Sequence, residues 1–588
     1  MFLFDEVNIS NIIRHYKHDA TVGIIVSACN ELLSDRWYKN AEKYPDKDAI
    51  VHWVTGEEPL RWSFSELLKS AETFAVSLKG IGVRKNDVCA TIIRHNENFY
   101  PLYIAISLLG AIPSVLAYPN PRLHPDKFRQ GLEGMSKRSG LDYILTENDL
   151  EPILRPLLDD KNNTIKGLLY PFDWDINKKY GRETIDEVSN IRKDTLPSSP
   201  ALLQHSSGTT GLQKPVVLSH QAILQHLANY SQAICLSSED KIISWLPLYH
   251  DMGLITAFHM PLALGITTVQ LDPFEWVLVP SLLCEAISKE KGTLVWMPNF
   301  AFNMMADKIK DDDLEGISLD SLRMIINASE PIRYNSHQKF YKRFFQYNLK
   351  PATIASLYGM AENTFAITQS SPGVSPTAIK VVENDLRNGK VKITSDNSNS
   401  QICVSSGKPI KGCRIRIVDD TRKELPEMFV GELAISSVSM FDGYRNYPEK
   451  SSEVLVDGWL YTGDYGFKYD NEIYVIGRKK DIIIVGGKNI YPEDIEDIVG
   501  AVEGVIPGRV IAFGEFDEEI GTEQVSIVAE TKIMGEEVRK NLKSKILSAT
   551  MAINISVKKI YFVPPRWLIK SSAGKPSRRT NKERLVTS

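Results

Sequence analysis

From about residue 30 to residue 350, the hydrophobic positions alternate between helical spacing and short β-rich runs. Residues 64–78 carry apolar side chains near a helical period, which predicts a helix. The run Val88-Cys89-Ala90-Thr91-Ile92-Ile93 predicts a strand, and residues 99–109 a second helix. Further strands are predicted at 142–145, 167–170, 241–245, 265–270 and 293–297. Alternation of this kind implies α/β layers in which helices cover sheets.

The helical rhythm weakens between Gly373 and Gly407, where Ser, Asn, Lys and Pro are frequent. A β-rich block follows, with strands predicted at 414–418, 432–435 and 472–476, and it ends in the charged run 477–481. Beyond that run, Pro492 opens a helix whose Ile495, Ile498, Val499 and Val502 have i, i+3, i+4, i+7 spacing. Val525, Ile527 and Ala529 alternate as in a strand, and a helix near 536–547 and a strand at 555–560 complete the unit. The fold expected is therefore a large α/β N-terminal domain, residues 1–479, of layered sheets and helices with a β-rich subdomain. A small α+β C-terminal domain, residues 480–588, follows it.

Composition narrows the function classes. A chain of 588 residues is too long for one core. Its net charge of -4, from 69 basic and 73 acidic residues, is interspersed rather than blocked, so no nucleic acid is expected as main partner. A basic tail at Lys570, Arg578, Arg579, Lys582 and Arg584 is the local exception. The cysteines at 29, 89, 235, 284, 403 and 413 show no close C-x-x-C pair, which points away from a disulfide framework or a zinc site. They fit a reducing compartment. No apolar run approaches membrane-spanning length, and the first residues are acid-bearing, so no integral membrane segment and a cytoplasmic location are expected.

Chemistry concentrates in a few loops. Residues 205–214, HSSGTTGLQK, form a polar hinge between the apolar segments 201–203 and 216–218. Two glycines, four hydroxyls and a lysine suit a loop wrapped around phosphate, although the spacing is not that of a Walker A motif. Ser219 is placed to cap the helix after it. His250 lies on a short loop bracketed by Pro247 and Gly253. The segments 327–331 and 356–362 each follow a β-like stretch, and strand ends are where open α/β sheets bind ligands. There Tyr358 offers a flat face for a purine and Glu362 a hard oxygen for Mg²⁺. Asp464, in YTGD, suits two ribose hydroxyls.

Together these motifs resemble the adenylate-forming superfamily of acyl-CoA synthetases, fatty acyl-AMP ligases, luciferases and peptide-synthetase adenylation domains. SSGTTGLQK at 206–214, WLPLYHDMGL at 245–254, NASEPI at 327–332 and SLYGMAE at 356–362 stand in the family's order. YTGD at 461–464, GRKKDIII at 477–484, GGKNIYPEDIE at 486–496 and SSAGKPSRR at 571–579 continue it. One departure is Pro215, which follows Lys214 where the family usually has glycine after the lysine; it removes a backbone donor and fixes φ.

The resemblance implies ATP and Mg²⁺ as cofactors. It puts Ser207, Gly208, Thr209, Thr210, Gly211 and Lys214 around the β- and γ-phosphates. Ser329, Glu330, Pro331 and Tyr358, with Gly359 and Met360, would frame the adenine, and Asp464 and Arg478 the ribose. Thr210 and Glu362 would hold Mg²⁺. Lys575 would bridge the acyl carboxylate and the α-phosphate, stabilising charge as it shifts, with His250, Glu362 and Thr210 completing the catalytic set. Gly574 would give its loop freedom, and Lys480 corresponds to the hinge on which a small mobile lid rotates between two half-reactions.

WLPLYHDMGLI, NASEPI and IIIVGGKNIYPEDIE look most like the stand-alone fatty acyl-AMP ligases. The interval from Tyr358 to Gly407 is long enough to hold their insertion, here about 381–406. Its Lys390–Thr394 alternation suggests a hairpin packed on the large domain. The implied substrate is a carboxylic acid of fatty-acid type, and the implied acceptor the phosphopantetheine thiol of a separate acyl carrier protein. CoA is the alternative acceptor, and a catalytically silent binding paralogue the alternative role. Trp245, Met252, Trp276, Phe300, Phe302 and Met304 are the candidate lining of an acyl pocket. A dinucleotide-dependent oxidoreductase is unsupported, because no G-x-G-x-x-G stands between a strand and a helix.

Overall fold

The computed structural model describes residues 30–119, 125–158, 164–175, 178, 180–205, 214–485, 488–517, 520, 522–533, 535–570 and 576–587. Its central element is a nine-stranded sheet. Six strands run parallel in the order Ile354–Gly359, Met324–Ala328, Leu294–Pro298, Lys241–Ser244, Thr267–Gln270 and Asp48–His52. Antiparallel strands close its ends, Leu60–Ser63 at one and Ala366–Gln369 with Lys408–Pro409 at the other. The parallel strands are buried along their length, as continuous apolar runs require when helices cover both faces.

A second, four-stranded parallel sheet is built from Ile112–Val115, Val88–Ile92, Tyr143–Thr146 and Gly167–Leu169. Helices Phe64–Ile81 and Phe99–Leu108 fill the space beside it. The first of these begins in a capping box, Ser63 with Glu66, and ends at Gly82 in the left-handed region at φ 118°. One apolar cluster joins these helices to the nine-stranded sheet. The β-rich block follows as a five-stranded antiparallel sheet between Cys413 and Arg478. Gly407 lets the chain pass from the insertion back to the main sheet. Its φ is +92°, and a Cβ there would stand 2.1 Å from the Gln369 backbone.

The last part of the chain is a smaller α+β unit. Val510–Asp517, Thr522–Glu530 and Val557–Val563 form its sheet, and helices Pro492–Gly500 and Glu536–Met551 cover it. Its apolar cluster, from Ile483 to Ile555, is separate from that of the large part. The architecture is thus the expected α/β layers with a β-rich subdomain and a smaller α+β unit. Among the described residues no helix is long and apolar enough to cross a membrane, and the five described cysteines are free.

Two local readings change. The helix opened by Pro492 stops at Gly500, so Val502 lies past its end. The Lys390–Thr394 alternation is not itself the hairpin. Instead Ala378–Val382 pairs antiparallel with Ser400–Val404, and a short helix, Glu383–Arg387, intervenes. Residues 390–394 run antiparallel along the other side of Ala378–Val382 for one short stretch. Val382 N donates to the Lys392 carbonyl at 2.8 Å and Thr394 N to the Lys380 carbonyl at 2.9 Å around the Ile393–Val381 bridge, and Lys390 bridges to Phe429. The packing is nevertheless that of a built element. Val381, Leu386, Val391 and Cys403 are buried with Phe467, Tyr474 and Ile476 of the β-rich block and with Tyr491 of the small unit.

Candidate active site

Parallel strands deliver most of the expected residues that are described to one end of the sheet. Met324–Ala328 runs into Ser329, Glu330 and Pro331, and Ile354–Gly359 carries Tyr358 and leads to Met360 and Glu362. Lys241–Ser244 leads into the His250 loop. The β-rich block supplies Asp464 and Arg478, which face each other across its strands Trp459–Tyr469 and Glu472–Arg478.

Tyr358 and Asp464, both buried, come together with the partly exposed Arg478 as one group. The Tyr358 hydroxyl donates to Asp464 Oδ2 at 2.7 Å, and Arg478 Nε lies 3.1 Å from Asp464 Oδ1. Burial, and then the Asp464 charge, push the Tyr358 phenol well above its ordinary range, so it is a fixed donor. Asp464 raises Arg478 further. Each carboxylate oxygen keeps a second acceptor direction, which is what a vicinal diol needs.

Glu362 is the centre of a second group. Its Oε1 accepts from the Tyr444 hydroxyl at 2.7 Å, and its carbonyl accepts from Phe441 N at 2.8 Å. The Lys214 ammonium lies 4.9 Å from the centre of the Tyr444 ring. Burial lowers the Lys214 pKa, and Glu362 partly opposes this. Pro215 pairs with His205 where strands Pro200–His205 and Pro215–Ser219 meet, at the neck of the hydroxyl-rich loop. As the first residue of its strand it is where proline disturbs a ladder least, and its carbonyl accepts from Arg445 N at 2.9 Å. Ser207, Gly208, Thr209, Thr210 and Gly211 lie outside the described residues, as do Gly574 and Lys575.

Ser329 has φ +68°, so the chain turns sharply as it leaves the strand. Its hydroxyl approaches Met252 Sδ at 3.8 Å, which brings the His250 loop against this segment. His250 Nδ1 is 2.7 Å from Asp251 Oδ1, and the residue caps a short helical turn. Gly253 is required there, because a Cβ would stand 2.5 Å from the Pro247 carbonyl. Glu330 is already engaged, since its Oε2 accepts from Phe300 N at 2.8 Å and caps helix Asn299–Lys308.

Three groups not singled out in the sequence complete the site. Tyr444 holds Glu362. Asn299 accepts from Asn327 Nδ2 at 2.9 Å and from Arg333 N at 3.2 Å, and so fixes the turn that carries Ser329 and Glu330. Arg333 then reaches the small unit, with Nη1 2.9 Å from Asp494 Oδ1 and Nε 2.5 Å from Asp497 Oδ2. In sequence terms only a turn signal, Gly443 before Tyr444, marks that segment, and its φ of 124° uses the freedom of glycine. Lys480 keeps an exposed surface but lies among Arg478, Asp481, Lys214 and Asp464, and partial desolvation, aided by the Arg478 charge, lowers its pKa to about 8.

The apolar set divides. Trp245 and Trp276 stack face to face at 3.5 Å and 8°, and Phe300 stands edge-on to both. Met252 is buried in the same cluster. Phe302 turns away to pack on Phe340 at 5.0 Å and belongs to the core between helices Asn299–Lys308 and Tyr334–Phe344.

This chain is similar to known proteins over almost its whole length. The family described as AMP-binding enzyme matches residues 37–445. The long-chain-fatty-acid–AMP ligase FadD26 of Mycobacterium marinum is 32% identical over 416 residues, covering 66% of this chain and 70% of that protein. A structure from studies of fatty acyl-adenylate ligases of E. coli and L. pneumophila has a TM-score of 0.85 at 26% identity, covering 95% of this chain and 98% of that one. The L. pneumophila fatty acyl-adenylate ligase in complex with acyl adenylate and pyrophosphate has a TM-score of 0.71 at 26% identity, covering 95% and 96%.

Proposed function

The chain belongs to the AMP-binding enzyme family, and on that premise we propose that it is a fatty acyl-AMP ligase. It activates a fatty acid with ATP to the acyl-adenylate and pyrophosphate, then passes the acyl group to the phosphopantetheine thiol of a separate acyl carrier protein. One observation carries the reading. Tyr358–Asp464–Arg478 and Lys214–Tyr444–Glu362 form two groups, each built on a buried carboxylate and tyrosine with a partly exposed cation, beside the strand ends of a chain that matches such ligases.

In the first half-reaction a carboxylate oxygen attacks the α-phosphorus, the α–β bridging P–O bond breaks, and pyrophosphate leaves. Tyr358, with Gly359, Met360 and the Ser329–Pro331 turn, lines the adenine side. Asp464 and Arg478 receive the ribose. Lys214 and the 207–211 loop take the β- and γ-phosphates. Glu362 fits Mg²⁺, because that ion takes one or two protein carboxylates and completes its shell with phosphate oxygens and water. Glu362 and Thr210 would hold it, and it would neutralise phosphate charge. Lys575 supplies the cation between carboxylate and α-phosphate. His250 closes the carboxylate end of the site. In the second half-reaction the thiol sulfur attacks the acyl carbon, the acyl–phosphate C–O bond breaks, and AMP leaves.

We place the domain boundary at 479/480, with Lys480 as the hinge. The insertion favours a carrier over CoA. It grips the small unit through Arg387 Nη2 to the Ile553 carbonyl at 2.8 Å and Gln401 to Asp494 at 3.3 Å. Lys488 to Asn384 at 3.1 Å and Asn554 to Asn399 at 3.2 Å add two more contacts. Rotation of the small unit has to break these contacts. The reducing-compartment cysteines fit a cytoplasmic reaction.

The test is a product-resolved assay with ATP, Mg²⁺ and a panel of carboxylic acids, each run alone, with CoA, and with a phosphopantetheinylated carrier protein. Acyl-adenylate plus transfer to the carrier but not to CoA is expected. Rapid acyl-CoA formation would overturn the acceptor assignment, and no adenylate from any acid would overturn the activity.

A further inference from the structure

The antiparallel block carries a line of cations and aromatic rings on one of its faces. Arg414 and Arg416 stand two apart on strand Cys413–Val418, and Trp459 and Tyr461 two apart on strand Trp459–Tyr469, so each pair shares a face. Ala434, on the strand between them, pairs with both Arg416 and Tyr461. The Arg416 guanidinium lies 4.1 Å from the centre of the Trp459 ring, and that of Arg414 lies 5.3 Å from it. Arg422, in the turn that follows Cys413–Val418, lies 4.2 Å from the centre of the Tyr461 ring. The line runs on to the proposed domain boundary, where the Lys479 ammonium lies 5.8 Å from the centre of the Tyr465 ring. Asp420, two positions before Arg422, holds that ammonium at 2.7 Å.

What the three arginines lack is a carboxylate. Arg323, Arg333, Arg343 and Arg478 each meet one within ion-pair distance. Arg414 donates instead to the Ser436 hydroxyl at 2.9 Å, Arg416 to the Tyr461 hydroxyl at 2.8 Å and Arg422 to the Glu453 carbonyl at 3.3 Å. None of the three is ion-paired among the described residues, and Arg416 Nε is buried there without an acceptor. Arg414 and Arg422 are exposed. A guanidinium stacked on a ring keeps its edge donors for an anion and has already lost side-chain freedom, so less order is lost when the anion binds. Three such edges on one sheet face fit a partner that carries carboxylates or phosphate. They do not fit the bases of a nucleic acid, because the rings that would stack bases are already covered by guanidiniums.

We propose that Arg414, Arg416 and Arg422 form the docking face for an acidic surface of the acyl carrier protein. The inference rests on the reading of that carrier as the acceptor. A phosphopantetheinylated carrier brings the phosphodiester of its prosthetic group to the enzyme, and carboxylates around that phosphate are the complement of an unpaired arginine ladder. The position suits the task. Tyr461 stands three positions before Asp464 on the same strand, so a carrier seated on this face is beside the ribose end of the proposed site.

The experiment uses the full chain carrying Arg414→Glu with Arg422→Glu, two exposed positions outside the Tyr358 and Glu362 groups, with dodecanoate as the acid. Acyl transfer is measured to a phosphopantetheinylated acidic carrier protein and to free pantetheine, which has the thiol without the phosphate or the protein surface. ATP–pyrophosphate exchange and transfer to pantetheine are expected to stay within about twofold of wild type, while kcat/KM for the carrier falls by about tenfold or more at low salt, mostly through KM. Added salt should narrow the gap, because screening weakens the wild-type attraction more than that of the variant. Arg414→Gln with Arg422→Gln should show a smaller loss of the same kind, and decides the question if the reversed charges unfold the chain. An unchanged KM for the carrier in the folded variants, or an equal loss with pantetheine, overturns the docking face and leaves the acceptor reading standing. Acyl-adenylate formation by the wild type without transfer to the carrier would overturn the acceptor reading, and the docking face with it.

Discussion

Tyr358 and Asp464, separated by 106 positions, meet at 2.7 Å and join the end of a parallel strand to the antiparallel block beside it. The hydrogen bond ends on a buried carboxylate that Arg478 already balances, so the three groups set one another's direction. Tyr358→Phe removes the donor and leaves Asp464 Oδ2 buried with less solvation. A hydrogen bond to a charged group contributes about 1.5–3 kcal/mol, so stability is expected to fall by about that much. Because the phenol orients the carboxylate proposed for the ribose, the KM for ATP should rise several-fold. Denaturant unfolding and ATP titration of the variant check both, and an unchanged KM would detach Tyr358 from the nucleotide.

Glu362 is the proposed carboxylate ligand of Mg²⁺, beside Thr210, and Glu362→Gln separates charge from shape. The amide oxygen can still accept from Tyr444, so the fold should lose no more than about 1 kcal/mol. The Mg²⁺ concentration for half-maximal adenylation is expected to rise by at least about tenfold, as loss of a carboxylate ligand requires. Tyr444→Phe should give a smaller shift in the same direction, because it frees the carboxylate rather than removing it. An unaltered Mg²⁺ dependence in Glu362→Gln would place the metal elsewhere.

Six buried histidines predict an acid limb of stability. Burial lowers His205, His220 and His337 to about 4 and His226 to about 3. His52 is lowered to about 3 by burial and then by His95, and His259 to about 3 by burial and then by His220. Between the unfolded value near 6.5 and these folded values the unfolded chain binds more protons, so stability falls as pH drops through this window. His205 bridges Ser114 and Ser139, with Nδ1 and Nε2 at 3.1 and 2.8 Å, at the neck of the 206–214 loop. His205→Gln, which cannot charge, should lose less stability than wild type between pH 6.5 and 4.5. Thermal unfolding against pH in both proteins measures the difference, and parallel curves would refute the assignment to His205.

The legible parts of this protein are those where one local rule decides. Ser63 with Glu66 and Ser219 before its helix announce their caps, and the continuous apolar runs at 88–92 and 294–298 announce buried strands. Lys390–Thr394 is legible only in part: it pairs briefly with Lys380–Val382, but the longer ladder of that strand goes to Ser400–Val404, a partner that long-range packing and not local alternation selects. Glu330 reads as a site carboxylate, yet its helix-capping partner lies 30 positions upstream. Phe302 shares its helix with Phe300, but the two point to different neighbours, and nothing in the local pattern tells which side faces the site. Tyr444 is invisible in sequence because its partner Glu362 is 82 positions away and no spacing rule connects them.

The contacts between the insertion and the small unit bear on the choice of acceptor. Arg387–Ile553, Gln401–Asp494 and Lys488–Asn384 each have one charged partner, and Asn554–Asn399 is neutral. At about 0.5–1.5 kcal/mol net for each of these partly or fully solvent-exposed hydrogen bonds, the four together bias the small unit by a few kcal/mol. Arg387→Met with Gln401→Met removes two of them and leaves the buried Val381, Leu386, Val391 and Cys403 untouched. A shift of about 1–3 kcal/mol changes an orientation equilibrium by about 5-fold to 150-fold. Adenylation should persist, because neither side chain belongs to the Tyr358 or Glu362 group. If the grip excludes CoA, the double variant should form acyl-CoA at a rate at least about fivefold above wild type, read by product-resolved assay at saturating CoA. Solution scattering should then record a wider spread of small-unit orientations. A wider spread without any gain in acyl-CoA would mean that CoA is refused by its own binding surface and not by the restrained hinge.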